Sequence, residues 1–265
     1  DETVIRQDLD EEAFAAENAS WAEAQTAVLA EADPLRRAAL VDVGESKAAA
    51  EDLRPLFRTV TEKAHELHGH HHVIIEGRRV SLGLVRWMNV AMCREYARYL
   101  VDEADPDADL RVVCYHARHL PSTRYEIERT LDDLLHRERE LADRLEESWD
   151  ADEHPGLAAL HRALESSRAT DLMIVVSATT VEDTGRDHDF DWAVWEPNDL
   201  RSAPQTAGRV FRHRPGLPAS AAPNVAILRR NWRSAVEKDS MAFRWPGPEG
   251  AERIHSGKGG DESRA

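Results

Sequence analysis

Two stretches of this 265-residue chain carry residue types that could do chemistry. The first is Ser177-Ala-Thr-Thr-Val-Glu-Asp-Thr-Gly-Arg-Asp-His-Asp-Phe-Asp191, which leaves an apolar run and passes Gly185 to reach Asp187, Asp189 and Asp191. Carboxylates two residues apart could offer oxygen ligands to a hard cation. The alternative, preferred here, is that Asp189 and Asp191 cap and solvate a loop. The second is Gln205-Thr-Ala-Gly-Arg-Val-Phe-Arg-His-Arg214. On a helix, Gln205, Arg209 and Arg212 fall at i, i+4 and i+7 and share one face, while Gly208 lets another backbone come close. Two guanidiniums on one face suit a polyphosphate, which favours bidentate partners. A third group, His65, His68, His70, His71 and His72, has metal-capable side chains. It lies next to Gly69 and Gly77 with no carboxylate or Cys at familiar ligand spacing, so it reads as a loop. Cys93 and Cys114 read as small buried apolar residues; no metal site is expected.

These side chains need elements to hold them. Residues 9–31 are rich in Ala and Glu, with Phe14, Trp21 and Val28 at helical spacing. Asp33-Pro34 breaks that pattern, and a second helix is expected over 35–66. Apolar runs at 80–86, 110–116, 171–178, 191–196 and 224–230 read as buried strands. Helices are expected at 88–101, 124–148, 156–167 and 201–212. The helix at 124–148 is the clearest, striped by Ile127, Leu131, Leu134, Leu135, Leu141 and Leu145. Strands alternating with helices make a parallel α/β sheet, and its strands are apolar throughout because both faces are covered. Ligands bind such sheets at the carboxyl ends of strands, so site residues should follow positions 86, 116, 177 and 196. Trp192 and Trp195 read as core or interface, and Phe211 as packing.

The formal net charge is −16, from 34 Lys+Arg against 50 Asp+Glu. Residues 1–34 carry ten acids and one Arg; residues 200–236 carry seven Arg and no acid. So acidic a chain repels nucleic acid on average, since phosphate contacts dominate that affinity. The basic segment is therefore either a solvated face or a site for anions. With only four Lys, Arg supplies nearly all the positive charge; a salt-rich habitat and GC-rich coding both fit. An apolar content of 42% excludes a wholly disordered chain. No apolar run approaches the length of a membrane span, so no membrane partner is expected. The acidic start is no signal peptide, and two cysteines exclude a disulfide framework and a four-Cys zinc site. The expected compartment is the cytoplasm. The absence of an initiator Met suggests a processed or truncated chain.

Ala178-Thr179 with Asp183-Thr184-Gly185-Arg186-Asp187 resembles motif V of superfamily 2 helicases, and Gln205-Thr-Ala-Gly-Arg209-Val-Phe-Arg212 resembles their motif VI. The order and the intervening strand are those of that family's second RecA-like domain. GRDHDFDWAVWEP (185–197) with the basic segment through Arg214 is similar to the CRISPR-associated helicase–nuclease of type I-F systems. VSLGLVRWMN (80–89) and CYHARHLPSTRYEIERTLDDLLHR (114–137) resemble its motif IV region, and PNVAILRRN (223–231) the strand after motif VI. The likeness covers roughly residues 60–250. Asn198-Asp199 departs from the small hydroxyl residues expected before Arg201-Ser202.

The resemblance implies a RecA-like parallel sheet flanked by helices; the acidic N-terminal helical extension before it is read from the residues alone, since the first 50 residues do not help the match. The division expected is an acidic helical segment with a His-rich loop (1–75), helicase domain 2 (76–245) and a flexible tail (246–265). ATP and Mg would sit between this lobe and a first RecA-like domain. Arg209 and Arg212 would act as arginine fingers, with Gln205 orienting the site. Gly185 and Asp187 would link nucleotide to the strand-binding face. Thr179, Arg86 and His116 would line a single-strand DNA track. The sequence holds no G-x-x-x-x-G-K-[ST]; Ser256-Gly257-Lys258-Gly259 is not one. His188-Asp189 spells "HD" inside motif V and reads as a decoy for the nuclease ligands. The expected partners are the missing first motor and HD nuclease domains, single-stranded DNA, and the CRISPR guide-RNA effector complex of antiviral interference. A nucleic-acid or effector-binding module without ATP hydrolysis stays open as the alternative.

Overall fold

Continuous apolar runs bury both their faces only at the centre of a sheet. In the computed structural model, β3 (Arg78–Arg86), β4 (Asp109–Tyr115) and β5 (Asp171–Ala178) run parallel in the order β3-β5-β4. β3 and β5 are buried in this way, while β4 lies at the sheet edge and is mostly half-buried. The structure describes residues 11–31, 34–43, 52–103, 109–147, 149–183, 185–198, 202–214 and 220–232. It comprises two compact units, Asp1–Leu35 and Arg36–Ala265. The first contains α1 (Glu11–Glu31), on which Trp21 and Val28 are exposed. The expected tail at 246–265 lies outside the described residues.

The second unit is a seven-stranded sheet. Its other strands are β1 (Ala38–Val41), β2 (Val73–Ile75), β6 (Trp192–Trp195) and β7 (Val225–Leu228). The order β1-β7-β6-β3-β5-β4 is parallel throughout, and β2 pairs antiparallel with β3. Helices cover both faces, as the α/β expectation required. On one side Leu172, Ile174 and Val176 share a core with Leu131 and Leu135 of α4 (Pro121–Leu135) and Leu160 and Leu164 of α6 (Pro155–Ser166). The alternate residues Met173 and Val175 join Val60 and Leu67 of α2 (Arg54–His70) and Cys93 and Tyr96 of α3 (Val90–Asp102). Each such leucine contributes about 1.5–3 kcal/mol of burial free energy. Gly83 of β3 makes room for the indole of Trp192: a Cβ there would lie 2.0 Å from the ring.

Four expectations need correction. The helix expected over 35–66 begins only at Arg54, with Pro55 in its first turn. Residues 38–41 instead pair with β7, because a short apolar run gains ladder hydrogen bonds at the sheet edge. The histidine run is not a loop, since α2 continues through His70. His68 is buried there, with Nδ1 2.7 Å from Ser81 Oγ and Nε2 2.9 Å from Asp171 Oδ1. His71 Nε2 lies 2.9 Å from the carbonyl of Pro223. The helix expected at 124–148 breaks after Leu135 and resumes as α5 (Leu141–Glu146). The break lets Arg137 turn inward to a buried carboxylate. The helix expected at 201–212 is one short piece, α7 (Ser202–Ala207). Val210 is fully buried and bridges to Phe190, which pulls the chain out of helical register. Gln205, Arg209 and Arg212 therefore do not share a helix face.

Candidate functional site

The loop after β5 is fixed by one partner at a time. Thr179 leaves the strand with its N–H donating to the Tyr115 carbonyl at 3.2 Å. Asp183 takes both ends of the Arg86 guanidinium, from Nη2 at 2.5 Å and Nε at 3.3 Å, while Arg86 Nη1 donates to Asn198 at 2.9 Å. Arg186 pairs with Glu128, and Asp187 accepts from Arg212 Nε at 2.6 Å and lies 3.0 Å from His213 Nε2. His188 is clamped between Glu182 at 2.7 Å and Asp132 at 2.8 Å. Asp189 takes Arg214 at 2.6 Å and 3.0 Å; Asp191 takes Arg137 at 2.6 Å, Arg214 at 2.7 Å and the Leu82 N–H at 2.8 Å. The three aspartates that could have been metal ligands are thus committed to arginines, and His188-Asp189 is part of the scaffold.

Charge follows from this pairing. Burial pushes the Asp191 carboxyl up, but Arg137 and Arg214 outweigh it and hold the group below the ordinary range. Burial would lower His188, yet Asp132 and Glu182 raise it, favouring an imidazolium between two carboxylates. Burial likewise opposes ionisation of Glu128; Arg124, the Tyr115 hydroxyl and Arg186 overcome it and bring its carboxyl down to about 2.

The basic segment closes over this loop. Gly208 makes the turn after α7, where a Cβ would meet the Pro204 carbonyl at 2.8 Å. Arg209 is only 4% exposed. Its Nη2 donates to the Asp183 carbonyl at 3.2 Å, while Nε and Nη1 have no partner. Burial pulls its pKa down more than Glu182 and Asp183 raise it. Buried donors are normally satisfied, and leaving one open costs about 1–3 kcal/mol. Both nitrogens are buried in this conformation; a phosphate oxygen would satisfy them once the 183–191 loop moves aside, and with that movement the residues present fit a polyphosphate. Asp183 and Asp187 beside Arg209 are each already paired with a guanidinium, so neither is offered to a hard cation in this conformation. Gln205 is exposed, Arg212 is 40% exposed along its side chain, and Gly185 sits in the left-handed region at φ +69°.

Arg86, Thr179 and His116 follow or end β3, β5 and β4, so the fold brings the expected strand-binding residues to one edge. All three are buried, and Arg86 is completely so. With its donors committed to Asp183 and Asn198, Arg86 positions the loop and reaches no phosphate in this conformation. Sequence reasoning missed Asp183, Glu182, Asp132, Arg137 and Arg214. The only local signal was the Asp-x-Asp-x-Asp alternation, which sends successive carboxylates to one side of an extended chain.

Residues 79–215 match the family model described as CRISPR-associated nuclease/helicase Cas3, C-terminal. The CRISPR-associated nuclease/helicase Cas3 subtype I-F/YPEST of Pseudomonas aeruginosa is 36% identical over 238 residues, which cover 88% of this chain and 21% of that protein. The same subtype from Pectobacterium atrosepticum is 36% identical over 218 residues, covering 81% and 19%. The chain thus spans about a fifth of the length of these curated relatives. Among solved structures, T. fusca Cas3 with AMPPNP aligns at a TM-score of 0.46 and 19% identity, over 74% of this chain and 19% of that one. By the family model and both relatives, the chain belongs to the Cas3 nuclease/helicase family and corresponds to the C-terminal part of its subtype I-F/YPEST form.

Proposed function

We propose that this chain is the second motor lobe of an ATP-dependent DNA helicase–nuclease acting in CRISPR interference. The observation that carries this reading is Arg209, a buried guanidinium with two open donors beside the 183–191 loop. ATP and Mg would lie between this lobe and a first RecA-like domain, which would supply the P-loop and the metal ligands. ATP hydrolysis develops charge on the transferred phosphoryl group. Arg209 would take phosphate oxygens on Nε and Nη1, as an arginine finger aimed at that charge. Arg212, held by Asp187, would add the second guanidinium, and the exposed Gln205 would orient the site.

Asp183 supplies the link to DNA. Its carbonyl holds Arg209 and its carboxylate holds Arg86, so a shift at the phosphate moves the end of β3. Gly185 and Asp187 belong to the same loop. Thr179 and His116 at the neighbouring strand ends would meet single-stranded DNA once that edge opens, with Arg86 acting through Asp183. The guide-RNA effector complex would deliver the strand. Cytoplasmic localisation fits this role, and no helix among the described residues is long and apolar enough to cross a membrane.

The test is Arg209→Ala in the full-length protein, assayed for ATP binding by fluorescent-analogue titration and for phosphate release. Turnover should fall by about 10³- to 10⁵-fold, the range for an arginine finger, with the Kd for ATP changed less than threefold. Turnover within tenfold of wild type overturns the assignment.

A further inference from the structure

We infer that Cys114, His116 and His119 form a binding site for a zinc-class divalent cation at the carboxyl end of β4. This does not rest on the motor reading, and it revises the expectation of a metal-free chain in which Cys114 is merely packing. One ligand atom from each residue lies within 4.8 Å of the other two. Zinc bonds of about 2.3 Å to sulfur and 2.0–2.1 Å to nitrogen put tetrahedral ligand atoms roughly 3.3–3.8 Å apart. The ligand atoms thus lie at most about 1–1.5 Å beyond that spacing, a gap that reorienting one ring closes.

Chain geometry explains the grouping. Cys114 and His116 are two apart on extended backbone and project to one side. The turn at 117–119, in which the His119 N–H approaches the His116 carbonyl at 3.4 Å, folds His119 back over His116. The rings stack 3.9 Å apart at 6° between planes. His119 Nε2 lies 2.8 Å from the Cys114 carbonyl. A carbonyl only accepts, so Nε2 carries the proton and Nδ1 keeps its lone pair, the arrangement in which metal-bound histidines are usually oriented. His116 supplies an independent observation. It is 6% exposed, and its Nδ1 has no hydrogen-bond partner. Packing alone gives no reason for an orphaned ring nitrogen at that depth.

The donor set selects the ion. A thiolate and two imidazoles suit zinc, copper(I) or cobalt rather than magnesium or calcium, which require oxygen. Cys93 Sγ lies 3.8 Å from Cys114 Sγ but donates to the Ser177 carbonyl at 3.1 Å, so it stands behind the triad. Water takes the fourth position. A cation lies in the plane of each imidazole that binds it, so binding must swing one ring out of the stack. His119, in a turn whose Ala117, Arg118 and Leu120 are exposed, is the ring that moves, pivoting about its Nε2 bond to the Cys114 carbonyl.

The test is Co²⁺ titration of the 265-residue chain. One equivalent should bind with a thiolate-to-cobalt charge-transfer band and be displaced by Zn²⁺. Cys114→Ser should abolish the band, His119→Ala should weaken binding at least tenfold, and Cys93→Ser should leave it unchanged. Zn²⁺ should also slow alkylation of Cys114. No thiolate band from the wild-type chain overturns the site. So does cobalt binding without such a band, which would place the ion on the histidines at 65–72, and so does full affinity in His119→Ala.

Discussion

Asp191→Asn tests whether the acidic cluster is a scaffold. The Asp191 carboxylate is fully buried and accepts from Arg137 at 2.6 Å, Arg214 at 2.7 Å and the Leu82 N–H at 2.8 Å. With Asp189 it balances two arginines inside the protein. Asparagine keeps the volume and can still accept from Leu82, but its amide points donors at guanidinium donors. It also leaves a net buried positive charge. Breaking a buried pair by removing one partner costs about 3–5 kcal/mol. At about 2–4 °C per kcal/mol for a domain of this size, Tm should fall by roughly 6–20 °C. Urea unfolding should show a lower midpoint at an unchanged m-value. Arg137 already has two nitrogens without partners, so Arg137→Met should be milder. In that background Asp191→Asn should lose about 1–2 kcal/mol less, a coupling expected for groups in one network. A stability for Asp191→Asn within 1 kcal/mol of wild type, or a loss reproduced by adding EDTA to wild type, refutes the scaffold reading.

Other consequences follow from the same packing. Gly83→Ala forces the fully buried Trp192 ring aside and breaks its 3.0 Å bond to Ser81, so it should destabilise by about 3 kcal/mol or more in urea. It should cost under 1 kcal/mol in a Trp192→Leu background. The raised pKa of His188 means that its clamp contributes fully below the unfolded value and is lost as pH rises through the folded one. The stability difference between wild type and His188→Gln should therefore shrink from pH 5 to pH 9; a constant or growing difference contradicts the imidazolium. Arg86→Met should release the 183–191 loop without touching the helices, read as faster hydrogen exchange confined to that loop and residues 87–89.

The central strands were legible because parallel strands buried on both faces leave a signal that needs no partner. The run at 171–178 is the strand Asp171–Ala178. The run at 110–116 was legible too, although β4 lies at the sheet edge; the short edge strand β1 and the hairpin strand β2 were not. Ala38–Val41 is four residues long and becomes a strand only through β7, nearly two hundred residues away. The Glu76-Gly77 turn, with φ of 51° and 77°, carried one glycine as its sign. Helical periodicity misled at 136–140, where Leu141 and Leu145 continue the stripe although the chain has left the helix to deliver Arg137. The site divides in the same way. Arg209, Gly185 and Asp187 stood out through the resemblance to helicase motifs V and VI. Their partners did not, because nothing local says that Arg86 meets Asp183 or that His68 bridges Ser81 and Asp171. Nor does anything local say that His119 folds back to stack on His116.

The most direct test of the half-motor reading is steady-state ATPase activity of this chain alone, of the remaining N-terminal portion of the full-length protein, and of the two together, each with and without single-stranded DNA. The expected result is no turnover from either part, DNA-stimulated turnover from the mixture, and none from a mixture made with Arg209→Ala. Turnover by this chain alone, or a mixture indifferent to Arg209→Ala, contradicts it.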